Sequence, residues 1–151
     1  MQLILIRHGE AAHPPQVSDQ KRPLTERGHA QAQETAHYLK GRVQPDIFVV
    51  SPLLRAQETL AHIQQYFPGT AVLTCDKIKP EDDASEAIEW LAQLPYQSIA
   101  VVCHMNVIAH IAEQLVQEPF HPFALAEARF YEQAVIASGL STQTQCFVPA
   151  L

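Results

Sequence analysis

The chain has 151 residues, of which 47% are hydrophobic and 17% are charged, and its formal net charge is −6. This composition is ordinary for a globular protein, and the length suits one hydrophobic core, so we expect a single domain over residues 1–151. No basic stripe and no long apolar run occurs, which argues against nucleic-acid and membrane partners. The cysteines are odd in number and form no CxxC pair, which favours free thiols and a cytoplasmic location.

Apolar runs alternate with helical patterns along the first third of the chain. Gln2–Arg7 is almost unbroken in its hydrophobicity, which is typical of a strand buried on both faces. After a proline-containing loop, Thr25 offers an N-cap for a helix that continues to about Lys40, with Gly41 at its end. Asp46–Val50 has the pattern of a second strand.

The same alternation continues through the rest of the chain. Ser51 followed by proline predicts the N-cap and first turn of a second helix, and Asp83 predicts the N-cap of a third. Such alternation indicates an α/β fold, a three-layer α/β/α sandwich around a mainly parallel sheet. The later predicted strands are Ala71–Cys75, Ser98–Cys103, Ala128–Tyr131 and Gln145–Val148.

Histidine and arginine side chains follow three of the predicted strands at the point where each ends. Arg7 and His8 close the first strand, Ser51 and Arg55 come after the second, and His104 follows the fourth. In open α/β sheets, ligands bind beyond the carboxyl ends of the strands, so these residues are expected to converge. Taken singly, each is as well explained as a structural or solvated side chain. Their convergence is what predicts a functional site.

This set of residues suits phosphoryl chemistry. Arginine presents a rigid fork of donors to phosphate oxygens, and the predicted helix N-terminus at Ser51 would add to a dianion site. A neutral imidazole at His8 can attack phosphorus, and Gly9 permits a close approach beside it. A protonated His104 can donate to the equatorial oxygens as charge develops on them.

Other chemistries fit less well. A cysteine phosphatase needs a Cys-x5-Arg loop, but Ala109 stands six residues after Cys103. Arg7 and Arg55 would repel a metal cation, and three or four converging ligands are not evident. Neither common nucleotide-binding glycine motif occurs. We therefore expect neither a metal nor a cofactor.

Four segments resemble the signatures of one known group, the histidine phosphatase or phosphoglycerate mutase-like superfamily. They are Leu-Ile-Arg-His-Gly-Glu (5–10), Pro-Leu-Thr-Glu-Arg-Gly (23–28), Ser-Pro-Leu-Leu-Arg-Ala-Gln-Glu-Thr (51–59) and Val-Val-Cys-His (101–104). Their joint order along most of the chain is specific to that group.

The resemblance implies a role for each matching residue. His8 would be the nucleophile that forms a phosphohistidine intermediate, and Arg7, Arg55 and His104 would complete the phosphate pocket. Arg22 would be a phosphate or substrate contact.

The segment from Thr59 to Ser98 is too short for the helical cap of larger members. This compactness resembles the small phosphohistidine phosphatase branch, which acts on histidine-phosphotransfer-type proteins.

The superfamily glutamate that protonates ester leaving groups has no clear counterpart in this chain. Glu81 and Asp82 are candidates by their order along the sequence. A phosphorylated imidazole needs less help from an acid than an ester, so a weak acid favours phosphohistidine as the substrate. Two alternatives stay open at this point: a broad phosphomonoesterase acting on small phosphorylated substrates, and a module that binds phosphoryl groups without turnover.

Overall fold

The computed structural model describes residues 1–151 and contains one central sheet flanked by four helices. The strands are β1 (Gln2–Arg7), β2 (Ile47–Val50), β3 (Ala71–Thr74), β4 (Ser98–Cys103), β5 (Ala128–Glu132) and β6 (Thr142–Phe147). The helices are α1 (Glu26–Leu39), α2 (Leu54–Gln64), α3 (Ala84–Ala92) and α4 (Val107–Val116), with a short 3₁₀ turn at Asp19–Lys21.

The six strands are arranged in the order β3-β2-β4-β1-β5-β6. The four strands from β3 to β1 run parallel, and β5 and β6 are antiparallel additions at one side. The predicted three-layer α/β fold with a mainly parallel sheet is confirmed, and no cap domain is inserted. Because β1, β4 and β2 are neighbours, their carboxyl ends lie side by side.

Alternating residues of the central strands supply two cores, one on each face of the sheet. Leu3 and Leu5 of β1 pack in a cluster with α3 and α4, whereas Ile4 and Ile6 pack in a second cluster with α1 and α2. This two-sided burial explains the unbroken apolar pattern of β1, because both faces of the strand must avoid water. The rigid sheet then holds the residues that follow each strand in fixed positions.

The predicted caps agree with the structure at two helices and are wrong at the third. The side chain of Thr25 accepts from the backbone N–H of Gly28 at 3.0 Å, and Asp83 caps α3 through Ser85. Helix α2 instead begins at Leu54, and no side chain caps it. The Ser51 hydroxyl accepts the backbone N–H of Leu53 at 3.3 Å, but Pro52 and Leu53 form a bend, so the helix begins three residues after Ser51.

The strand at the sheet edge is longer than its sequence pattern indicated. The predicted strand began at Gln145, whereas β6 begins at Thr142 and ends at Phe147. Its first residues are polar and exposed, so they carry no apolar signal, and such polarity is common on edge strands. No helix of the structure is long and apolar enough to cross a membrane.

Candidate active site

Three polar side chains lie in a row where β1, β4 and β2 end. The register pairs Arg7 of β1 with Cys103 of β4, so the next residues, His8 and His104, are neighbours. Their imidazole rings lie 5.1 Å apart between centroids. On the other side of β4, the backbone N–H of Ser51 donates to the carbonyl of Val102 at 3.1 Å. The predicted convergence of the strand ends is therefore present.

The contacts of His8 determine which of its ring nitrogens is free. Its Nδ1 lies 2.6 Å from the carbonyl oxygen of Gly9, and a carbonyl only accepts, so Nδ1 carries the hydrogen. Burial is the main cause that lowers the pKa of His8 to about 4, and the nearby Arg55 and Arg7 lower it further. At neutral pH the ring is uncharged, and the lone pair of Nε2 is available for attack on an electrophile.

His104 is fully buried and is oriented by Ser51. Its Nε2 lies 2.7 Å from the Ser51 hydroxyl oxygen, which also accepts the backbone N–H of Leu53 at 3.3 Å. The serine has one O–H, and when it donates to Nε2 the hydrogen of the neutral His104 ring lies on Nδ1. Nδ1 has no protein partner although it is buried. Burial and the neighbouring His8 lower the pKa of His104 to about 2.

Two arginines flank the histidines, one buried and one half-buried. Arg7 is half-buried; it donates from Nη1 to the carbonyl of Phe123 at 2.8 Å, and its Nε atom is buried without a partner. Arg55 is only 4% exposed and reaches the site from the first turn of α2. Burial lowers the pKa of both guanidinium groups, but an arginine side chain stays charged at any working pH. The two side chains therefore bring fixed positive charge to the site.

Arg22 extends the positive region, and it brings a carboxylate that the sequence patterns did not reveal. Its guanidinium group contacts the carbonyl of Ala12, the Nε2 atom of His13 and the Oδ1 atom of Asp19, each at 2.9 Å. The positive charge of Arg22 also contributes to the lowered pKa of His8. Asp19 contacts Arg55 as well, with 3.2 Å between Oδ2 and Nη2.

A close backbone contact holds the loop that follows β1. A methyl group in place of the Gly9 hydrogen would lie 2.4 Å from the carbonyl oxygen of Gly28, a distance that side chains do not tolerate. The Gly9 N–H donates to the Thr59 hydroxyl at 3.1 Å. The backbone that approaches Gly9 is the start of α1, and the close approach of a substrate at Gly9 stays a prediction. Gly28 and Thr59 thus belong to the support of the site.

The two carboxylates proposed as acids from their order along the chain are both engaged by other side chains. Glu81 accepts at 3.0 Å from the side-chain amide of Asn106, in the loop that follows β4. Asp82 is paired with the ammonium of Lys79 at 3.1 Å. The negative charge of Asp19 opposes the effect of burial on His104, because it raises the pKa of that imidazole. No group of three or more histidine, cysteine or carboxylate side chains is arranged to hold a metal ion.

Comparisons with known proteins agree with this architecture. The profile of the histidine phosphatase superfamily (branch 1) matches residues 3–79. The phosphohistidine phosphatase SixA of Escherichia coli (strain K12) is 31% identical over 121 residues, which cover 76% of this chain and 74% of the relative. The SixA homolog of Haemophilus influenzae is 29% identical over 143 residues, covering 84% of this chain and 87% of that protein.

A solved structure extends the agreement to three dimensions. The structure of the protein histidine phosphatase SixA complexed with tungstate superposes with a TM-score of 0.86 at 27% identity, covering 99% of this chain and 97% of that chain. The fold and these relatives together define the protein as a phosphatase, a hydrolase of phosphoryl groups. The chain belongs to the histidine phosphatase superfamily, within its SixA-like branch.

Proposed function

We propose that this phosphatase removes the phosphoryl group from phosphohistidine on a partner protein, through a covalent intermediate on His8. The observation that carries the proposal is the state of His8: its Nδ1 is bonded to the Gly9 carbonyl, which leaves Nε2 free, and burial with the charges of three arginines lowers its pKa so that the imidazole is uncharged. The names of two relatives describe phosphohistidine phosphatases, and a third is complexed with tungstate, a tetrahedral oxyanion shaped like phosphate.

Arg7, Arg55 and Arg22 bind the phosphoryl oxygens in this proposal. Their forked donors match the equatorial oxygens, and the buried setting of Arg55 strengthens its contact because little water competes. The buried Nε of Arg7, which has no protein partner, gains an acceptor when a phosphoryl group enters. These contacts place the phosphorus in line with Nε2 of His8.

His104 stabilises the transferring group, and Ser51 is a positioning residue for it. The hydroxyl of Ser51 holds Nε2 of His104, so Nδ1–H is the donor left for a phosphoryl oxygen. A bound dianion favours the protonated form of this ring, which adds a positive charge as negative charge moves onto the oxygens. The substrate-binding role expected for Ser51 thus becomes an indirect one.

Phosphohistidine is favoured over small phosphate esters for two reasons. Asp82 is paired with Lys79 and Glu81 accepts from Asn106, so both carboxylates are already engaged and neither is free to protonate an ester oxygen. The absence of a cap leaves the strand ends open to an imidazole presented by another protein. We propose that residues 1–151 act as one domain, in a reducing compartment such as the cytoplasm, which suits the free Cys75, Cys103 and Cys146.

The proposal is tested with a phosphorylated histidine-phosphotransfer domain in buffer containing EDTA. We expect metal-independent release of phosphate and a fall of about 10³-fold or more in kcat for His8→Ala, because the nucleophile is lost. His110→Ala is the matched control, since His110 is exposed and pairs with Glu113 away from the site; its turnover should equal that of the wild type.

Trapping separates catalysis from mere binding. Quenching turnover in base should leave labelled phosphate on the wild-type chain, bound through an acid-labile bond to His8. A protein that only binds phosphoryl groups leaves no label. Absence of the label, or full turnover in His8→Ala, contradicts the proposed mechanism. A kcat/KM for small alkyl phosphates above that for the phosphohistidine domain contradicts the proposed substrate.

A further inference from the structure

The carboxylate of Asp19 occupies the arginine donors that the proposed phosphoryl group needs. Its Oδ1 lies 2.9 Å from Nη1 of Arg22, and its Oδ2 lies 3.2 Å from Nη2 of Arg55. The backbone carbonyl of Asp19 accepts from Nη1 of Arg55 at 2.7 Å. The Asp19 side chain is nevertheless 56% exposed. It therefore lies at the mouth of the site, with the arginines on one side and solvent on the other.

Asp19 differs in this respect from the other carboxylates near the strand ends. Glu10 is held by the hydroxyl of Thr25 at 2.8 Å and by Arg27 at 3.0 Å. Asp82 is engaged by Lys79 within its own loop, and Glu81 accepts from Asn106 in the loop after β4. Asp19 is the carboxylate that contacts two of the arginines proposed to bind the phosphoryl group, so it is the acid group best placed to reach a leaving atom.

We propose that Asp19 is the general acid and general base of the reaction, and this rests on the proposed function of His8. In the first step, Nε2 of His8 bonds to phosphorus while the bond from phosphorus to the substrate nitrogen breaks. The electron pair stays on that nitrogen, which takes the proton of the Asp19 carboxyl. In the second step, water attacks phosphorus and gives a proton to the Asp19 carboxylate, while the bond from phosphorus to Nε2 of His8 breaks. The electron pair of that bond returns to Nε2, so His8 is again neutral and inorganic phosphate is released.

Binding of the substrate favours protonation of Asp19, which takes up from solvent the proton that the first step needs. The groups facing Asp19 are Arg22 from its own loop, which also contacts His13, Arg55 from α2, and His104 beyond β4. Without a ligand, the hydrogen bond from Arg22 is the main cause that lowers the pKa of Asp19. A phosphoryl dianion takes over the arginine donors and places negative charge beside the carboxylate, and both changes favour protonation.

The test uses substrates that differ in how much they need an acid. A p-nitrophenolate group leaves without a proton, whereas phenolate and imidazole leave far better when protonated. For Asp19→Asn we expect kcat/KM to fall about 10²-fold with the phosphohistidine domain and with phenyl phosphate. With p-nitrophenyl phosphate, kcat/KM should stay within about 3-fold of the wild type, because its first step needs no acid. A burst of p-nitrophenol should appear, since hydrolysis of phospho-His8 has lost its base.

Two further variants make the comparison specific. Asp76→Asn removes the same kind of group from an exposed ion pair with Lys79, outside the site, and should leave all three substrates unchanged. Asp19→Glu keeps the carboxyl group and should recover part of the activity with phenyl phosphate. Thermal melting of each variant checks that the chain is folded.

Three results overturn the proposal. Equal losses on all substrates mean that Asp19 only holds the arginines in place, and unchanged rates mean that it has no role in catalysis. Higher kcat/KM on all substrates means that its carboxylate merely competes with phosphate. If the wild type fails to act on the phosphohistidine domain, the proposed substrate is wrong. The contrast between phenyl and p-nitrophenyl phosphate then still tests Asp19.

Discussion

Replacing His8 by asparagine should make the stability of the protein less sensitive to acid. The pKa of His8 is lowered from the ordinary value of 6.5 to about 4 in the folded chain, chiefly by burial. Between these two pH values the unfolded chain binds a proton at His8 that the folded chain does not bind, so the free energy of unfolding rises with pH through this window. At about 1.36 kcal/mol per pKa unit, the buried ring lowers the free energy of unfolding of the wild type by about 3 kcal/mol as the pH falls from 7 to 4.

Urea unfolding at several pH values between 7 and 4 measures this difference. The free energy of unfolding of His8→Asn should fall less steeply than that of the wild type, and the two slopes should differ by nearly one proton near pH 5. His110→Asn, at an exposed histidine, should keep the wild-type slope. Parallel curves for His8→Asn and the wild type would refute the conclusion that His8 is buried in its uncharged form.

The remaining predictions concern the supports of the site. Ser51→Ala should lower kcat about 10- to 100-fold with little change in KM, because His104 loses the bond that orients it. Steady-state kinetics on p-nitrophenyl phosphate measure this, and a change confined to KM would contradict it. Gly28→Ala should cost about 1–3 kcal/mol in urea unfolding, because its methyl group would lie 2.0 Å from the Glu10 carbonyl. Gly69→Ala, which meets no atom, should be nearly neutral.

The sequence patterns predicted the fold well because the central strands are buried on both faces and therefore have unbroken apolar sequences. The apolar runs at Gln2–Arg7 and Ser98–Cys103 match β1 and β4 residue for residue. Once these strands are parallel neighbours, the convergence of His8 and His104 follows from geometry alone. The ends of buried strands can be predicted from sequence, and so the positions of the residues that directly follow them can be predicted too.

Residues that enter the site from loops were harder to predict. Asp19 lies in the segment between the first two signatures, where no periodicity marks its position, and only its spacing of three residues from Arg22 hints at an ion pair. The predicted start of α2 was wrong for a different reason. Ser51 followed by proline is a sound capping signal, and its hydroxyl does accept from Leu53, but Pro52 and Leu53 form a bend and the helix begins at Leu54. The bond from the same hydroxyl to His104 is a long-range contact, which local patterns do not contain.

The charges of the unliganded site explain how one arrangement serves both the nucleophile and its substrate. Arg7, Arg22 and Arg55 lower the pKa of His8, and without them a histidine beside a phosphoryl dianion would tend to protonate and lose its lone pair. In the proposed mechanism, the same three groups attract the dianion that His8 attacks. Burial and the neighbouring charges lower the pKa of His104 as well, but its Nδ1 has no protein partner, so a phosphoryl dianion placed beside it would favour its protonated form. On this proposal the arginines keep His8 uncharged as a nucleophile, while the substrate makes His104 a donor.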